Sequence, residues 1–357
     1  MKKILFLTLH RPDRSPSQRF RFEQYLELLR KTGYQVEYSY LLNENDDTVF
    51  YSHKVLGKIK ILIFSILKLF KKYASTDKGT IVFVQRECFM LGSAFFEKLF
   101  QSKCKMIFDF DDSIWLQNVS EKNKLWSFLK SPSKTSKIIA MSELVIAGNE
   151  YLADYARLFN KNVIVIPTTI DTEEYRHRNA EAKQNQKICI GWSGSVTTIQ
   201  HFQYVIQPLL SLKAKYGDKI YFKVIGDGNF RQDELGIVGL PWKKSSEIND
   251  LSEIDIGIMP LPDDEWAKGK CGLKGLQYMA LGIPTIMSPV GVNSEIISDG
   301  INGFLASTHE EWVDKLSVLI ESAKVRQEVG EKGRETVLEK YSVKANESAY
   351  LEVFKRF

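Results

Sequence analysis

KCGLKGLQYMALGIP, residues 270–284, decides how this 357-residue chain is read. Lys270 and Lys274 stand four apart and share one face of a helix, while Gly272 lets the backbone approach a ligand closely. From Leu273 the apolar side chains Leu276, Met279 and Ala280 follow helical spacing, until Gly282 ends the turn and Pro284 forbids its return. An anion at that helix start meets free N–H groups, the positive end of the helix dipole and two ammonium groups, a set of donors that fits a diphosphate. The same lysines on a surface helix would simply be solvated, so the surroundings carry the decision. The segment follows an expected strand over 254–259 and a polar loop over 260–269, and it precedes a strand over 285–288. Ligands of open parallel sheets bind where strands end and helices begin.

Outward from this segment, strand-like runs recur over 4–9, 36–41, 81–84, 106–109, 144–146 and 163–166, most of them separated by enough residues for a helix, such as 20–32. After Pro167 the pattern restarts over 188–192, 222–225, 254–259, 285–288 and 304–305. Strand and helix alternating in this way predict α/β architecture, two Rossmann-like domains each with a helix-covered parallel sheet. The boundary falls in the polar stretch 171–186. Ser307-Thr308-His309-Glu310 reads as a capping box ahead of Trp312, Val313, Leu316, Leu319 and Ile320 at helical spacing. A last helix offers Tyr350, Val353, Phe354 and Phe357 as an apolar stripe.

The net charge of +5, from 49 basic against 44 acidic residues, is too small to argue for nucleic acid. Cys88, Cys104, Cys189 and Cys271 show no C-x2-C spacing, which speaks against a zinc site or a disulfide framework and fits a reducing cytoplasm. Met1-Lys2-Lys3 leads into a short apolar strand that breaks at a polar turn, unlike an export signal. Residues 54–72, KVLGKIKILIFSILKLFKK, are the compositional outlier. The apolar run 59–70 is shorter than the roughly 20 residues a bilayer requires, and lysines flank it with no acidic residue between. It reads either as an interfacial helix on the inner membrane face, with Lys54, Lys58, Lys60, Lys68, Lys71 and Lys72 at lipid heads and Ile63, Phe64, Ile66 and Leu67 in the acyl boundary, or as a buried core helix.

The 270–284 segment resembles the signature of glycosyltransferase family 4, retaining sugar transferases with the two-domain GT-B fold. In that family a glutamate, seven residues and a second glutamate lead into a run like 279–284; here Gly269 and Gln277 stand at the two glutamate places. Gln277 can still hydrogen-bond a ribose hydroxyl, and Asp264 and Glu265 are the candidates to replace the first glutamate. By the same resemblance the glycine turn Gly226-Asp227-Gly228 and the loop with Trp242 and Lys243 line the nucleotide pocket. Many family members carry an arginine and a lysine where Ser195 and Gln200 stand here, so the diphosphate falls to Lys270, Lys274 and the helix start Cys271, Gly272 and Leu273, helped by Ser193, Gly194 and Ser195.

In the first half, Ser17, Arg19 and Arg21 belong to a polar loop opening a helix after the first strand, and they are candidates to contact phosphate or acceptor. The segment is similar to a serine-rich loop with an arginine pair in a family 4 subgroup of bacterial surface-polysaccharide gene sets. Asp109, Asp111 and Asp112 crowd the end of a strand, with Arg86 and Glu87 at the same rim. Metal binding and helix capping are open readings, but GT-B enzymes generally need no metal, which leaves Asp111 or Asp112, with Lys274, as the catalytic candidates.

The resemblance thus implies two Rossmann-like domains facing a central cleft. An acceptor domain over 1–170 is completed by the helix 343–357 crossing back, and a donor domain spans 171–342. The expected activity is hexosyl transfer from a nucleotide diphosphate sugar to a glycan or lipid-linked glycan, with retention, in a cytoplasmic polysaccharide enzyme. A catalytically silent nucleotide- or glycan-binding GT-B partner and a GT-B sugar-nucleotide epimerase are the alternatives.

Overall fold

Ile4, Leu5, Phe6 and Leu7 are all buried, and a strand apolar at consecutive positions must be covered on both faces, the condition of a parallel sheet flanked by helices. In the computed structural model, which describes residues 2–50, 52, 55–116, 131, 133–176 and 187–357, these residues form β1 (Lys3–His10). It is followed by β2 (Gln35–Leu42), β3 (Ile81–Gln85), β4 (Lys105–Phe110), β5 (Leu144–Ala147) and β6 (Val163–Val165). Their order is β2-β1-β3-β4-β5-β6, all pairs parallel, with Leu5 opposite Val82 and Val82 opposite Met106.

This sheet belongs to a unit made of Met1–Thr168 and Asn346–Phe357. The chain's last helix, Val343–Lys355, therefore completes the first unit's core. Tyr350 stacks on Tyr25 at 4.1 Å, and the Phe354 ring lies 6.3 Å from Phe6 and 6.2 Å from Phe83. Truncating an aromatic ring so placed costs about 3–5 kcal/mol.

Thr169–Ala345 form the second unit. Residues 177–186, most of the polar stretch expected to hold the boundary, lie outside the described residues. Here β7 (Ile188–Ser193), β8 (Ile220–Gly226), the short β9 (Arg231–Gln232), β10 (Ile237–Val238) and β11 (Leu240–Pro241), then β12 (Ile256–Met259), β13 (Thr285–Met287) and β14 (Phe304–Leu305) follow in sequence. Six of them make a second parallel sheet, β11-β8-β7-β12-β13-β14. Trp192, Ile190, Leu209, Trp312 and Leu316 anchor the core on one side of it. The helix His309–Glu321 is capped one residue later than the sequence suggests, because Thr308 accepts from Glu311 N–H and the Glu311 carboxylate reaches back.

Each sheet reverses its strand order at one place, between β1 and β3 in the first and between β7 and β12 in the second. At such a reversal the flanking crossovers leave the carboxyl ends of the two strands uncovered, which is where ligands of open α/β sheets sit.

Candidate functional site

At the second reversal β7 ends in Ser193-Gly194, and β12 leads through the helix Glu265–Lys268 into the helix Leu273–Ala280. Gly272 is the N-cap of the latter helix at φ 69°, in the left-handed region, and offers no capping side chain. A Cβ there would overlap Ile296 Cδ1, so packing as well as conformation demands glycine, a constraint beyond the ligand approach expected from sequence. The N–H groups of the first turn keep their capacity for an anion.

Lys274 projects from this first turn. Its ammonium lies 4.2 Å from the Trp192 ring centroid and donates to Thr198 Oγ1 at 3.4 Å. Among the described residues no carboxylate pairs with it. Burial and the nearby charge of Lys270 bring its pKa down to about 7. Lys270 itself sits 5.1 Å from the Trp266 ring, and His201 is lowered to about 4 by burial and by both lysines. Lys270 and Lys274 together make the field at this helix start positive, the electrostatic condition for holding a multiply charged anion. Gly194 and Gly226 keep the arrangement open. A Cβ on Gly194 would strike the Trp192 ring and approach Lys274 Nζ to 2.8 Å, and one on Gly226, at φ 136°, would overlap the Gly194 carbonyl. Gly228, likewise, packs its backbone against Pro241.

Other residues expected to line a donor are placed differently. Ser193 is buried, and its N–H donates to the Tyr278 hydroxyl at 2.7 Å, with Ser193 Oγ 3.0 Å from the same oxygen; Ser193 thus ties β7 to the helix. Ser195 is exposed and forms a hydroxyl cluster with Thr197 and Thr198, which lies beside Lys274. Cys271 is a buried thiol outside any disulfide, and Leu273 is half-buried. Asp264 caps the helix Glu265–Lys268 through Ala267 N–H at 2.7 Å, and Glu265 pairs with Lys268 at 3.1 Å. Asp227 holds its own turn by accepting from Asn229 N–H, and Lys243 is exposed.

Gln277 is buried and does not present its amide to a ribose. The amide donates to the Tyr175 hydroxyl at 2.8 Å and to Glu247 Oε1 at 3.3 Å. Glu247 also accepts from Trp242 Nε1 at 2.9 Å and from the Tyr175 hydroxyl at 2.9 Å. A glutamate at 277 would set two buried carboxylates against each other, whereas glutamine supplies a donor. The departure from the family signature thus has a local reason, the carboxylate contributed by Glu247.

The aspartate crowd of the first unit divides in two. Asp109 is buried and pairs with Arg21 at 2.6 Å, Arg21 donating also to the Ile166 carbonyl. Arg19 is buried as well, its guanidinium 4.8 Å over the Phe20 ring. Arg21 is thus held in the core by Asp109, while Arg19 and the half-buried Ser17 lie on the short helix Pro16–Arg19. Asp111 and Asp112 stay at the rim and pair with Arg86, Asp111 at 3.0 Å. Arg86 follows β3 with φ 62°, a costly conformation for a residue with a Cβ, held by its N–H donating to the Asp109 carbonyl at 2.8 Å. Beside it at the first reversal, burial and the charges of Arg14, Arg86 and Arg11 take His10 down to about 4 against a smaller opposing pull from Asp47, so its imidazole is neutral near pH 7. Among the described residues no group of three His, Cys, Asp or Glu side chains is placed to hold a metal ion.

Residues 187–322 match the family model described as Glycosyl transferases group 1, a stretch that includes Trp192, Lys270 and Lys274 but less than half of the chain. Among curated proteins none matches the sequence. Solved structures do. Sucrose-phosphate synthase from Thermosynechococcus elongatus is similar with a TM-score of 0.68 at 12% identity, over 100% of this chain and 99% of that one. HepE from Anabaena, in complex with UDP and glucose, gives 0.63 at 12% identity over 100% of both chains. A glycosyltransferase from Rickettsia africae gives 0.63 at 16% identity, over 99% of this chain and 98% of that one. The fold is GT-B.

Within this GT-B chain, sequence reasoning missed Glu247, Tyr175, Tyr278 and Thr198, and it had no use for Trp192 beyond its place at a strand end. A buried tryptophan ending a strand beside a glycine was the one available signal. Glu247 carried none, since it lies in a polar stretch, 243–250, that reads as surface.

Proposed function

We propose that this chain is a retaining glycosyltransferase of family 4 that moves a hexosyl group from a nucleoside diphosphate sugar to a hydroxyl of a glycan or lipid-linked glycan, in polysaccharide assembly. One observation carries the reading: the Lys274 ammonium, without a carboxylate partner among the described residues, poised over Trp192 at an uncapped helix start, inside the stretch that matches the glycosyl transferases. In such a transfer the bond from the anomeric carbon to the diphosphate breaks, and negative charge grows on the leaving oxygen. Lys274, Lys270 and the first-turn N–H groups are preorganised donors for that charge. The acceptor's hydroxyl oxygen bonds to the anomeric carbon, and its proton goes to the departing diphosphate. No metal ion is required. UDP is the first nucleotide to test, because the similar HepE structure contains it.

Release of nucleoside diphosphate from UDP- and GDP-sugars, measured with and without glycan or lipid-linked acceptors, tests the proposal. Release that depends on acceptor supports it. Nucleotide binding with no release under any acceptor supports the silent-partner reading instead, and interconversion of the sugar nucleotide without acceptor supports an epimerase.

A further inference from the structure

The helix Val55–Ala74 buries Ile61, Ser65 and Leu69 against the first unit. Its opposite stripe is apolar and exposed: Leu56 at 84%, Ile63 at 53%, Phe64 at 57% and Leu67 at 59%. With Phe70, these side chains share one side of the helix over about 20 Å. The Phe70 ring, 6.3 Å from that of Phe95, carries the apolar surface onto the helix Phe95–Gln101. Beside Phe95 opens a pocket of about 610 Å³ whose lining, among the described residues, includes Lys98, Lys137 and Met141 and no acidic side chain. Lys60 and Lys71, both exposed, lie on the same side of the helix as the stripe, and the helix itself has no acidic residue.

Lys68 and Lys72 are spent elsewhere: Lys68 donates to the Tyr40 carbonyl and Lys72 pairs with Glu37. They are not the headgroup contacts the sequence suggested, and Lys54 lies outside the described residues. No helix among the described residues is long and apolar enough to cross a membrane.

We propose that this face docks on the surface of an anionic phospholipid bilayer, the stripe from Leu56 to Phe70 entering the acyl boundary and Lys98 and Lys137 receiving headgroup phosphates. An apolar stripe that carries exposed Lys60 and Lys71 and continues to Lys98 and Lys137 complements an interface that is apolar beneath a layer of negative charge. Pairing with a second copy would instead set lysine against lysine. The inference stands on the first unit alone, independently of sugar transfer.

Flotation of the full chain with phosphatidylcholine vesicles, with and without phosphatidylglycerol, is the test. The chain is expected to float with anionic vesicles and not with neutral ones. Lys98→Gln and Lys137→Gln should each weaken binding roughly fivefold, and Phe64→Glu combined with Leu67→Glu should abolish it. All four sites are exposed, and unchanged circular dichroism melting separates loss of docking from loss of fold. No flotation of the unaltered chain, or flotation indifferent to the paired glutamates, overturns the proposal. So does a sedimenting dimer that disappears in the paired variant, which would give the face to a second copy.

Discussion

Replacing Lys274 by methionine keeps the stem over Trp192 and deletes the charge. The loss of a charge-assisted hydrogen bond to a diphosphate is about 1.5–3 kcal/mol, or roughly 10- to 150-fold in Kd. The wild-type chain should also show a pH signature that the variant lacks. In the free protein burial and Lys270 hold the ammonium at about 7; a bound diphosphate favours the charged form and raises that value. Binding above pH 7 must therefore take up a proton. Affinity then weakens as pH rises above 7, approaching tenfold per unit until the bound-state value is reached. At pH 8 only about one molecule in ten carries the charge, so recharging costs about 1.4 kcal/mol. His201, held near 4 by burial and the two lysines, is neutral across that window in the free protein, and the terminal phosphate titrates below it, near about 6. Calorimetry of UDP and GDP in buffers of different ionisation enthalpy reads the uptake directly. Absence of proton uptake at pH 8, or an equal pH slope in Lys274→Met, would refute the reasoning.

Arg21→Met should cost about 3–5 kcal/mol by stranding the buried Asp109 carboxylate, read by urea denaturation. Gln277→Glu should destabilise by roughly 2 kcal/mol at pH 8, because it opposes the Glu247 carboxylate, now 3.3 Å from the amide. A carboxyl raised in the folded state loses stability as pH climbs past its unfolded value, so the deficit should shrink toward about pH 4; an equal deficit at both pH values would contradict the pairing. Turnover should survive exhaustive EDTA, and activity that vanishes and returns with magnesium or manganese would make Asp111 and Asp112 ligands to test.

The fold was legible because strands of a parallel sheet are buried on both faces, so runs such as Ile4 to Leu7 and Ile81 to Val84 announce themselves without alternation. The two-residue strands β9, β10 and β11 are too short to carry a pattern. The helix at 273–280 was legible from its ends, with Gly272 and Gly282 both at positive φ. What stayed hidden is long-range pairing. Arg21 and Asp109 stand 88 residues apart, and nothing near either shows that they meet in the core. The carboxylates at 109–112 looked like one cluster because strand alternation, which sends Asp109 inward, ends where the rim begins. Glu247 draws partners from three separate stretches, so its charge became visible only in the fold.

A crystal structure with bound UDP tests the central claim most directly. The account predicts the diphosphate within hydrogen-bond distance of Lys274 Nζ and the first-turn N–H groups of the helix Leu273–Ala280, over the face of Trp192. A diphosphate bound away from Lys274, with the helix start left to solvent, would contradict it.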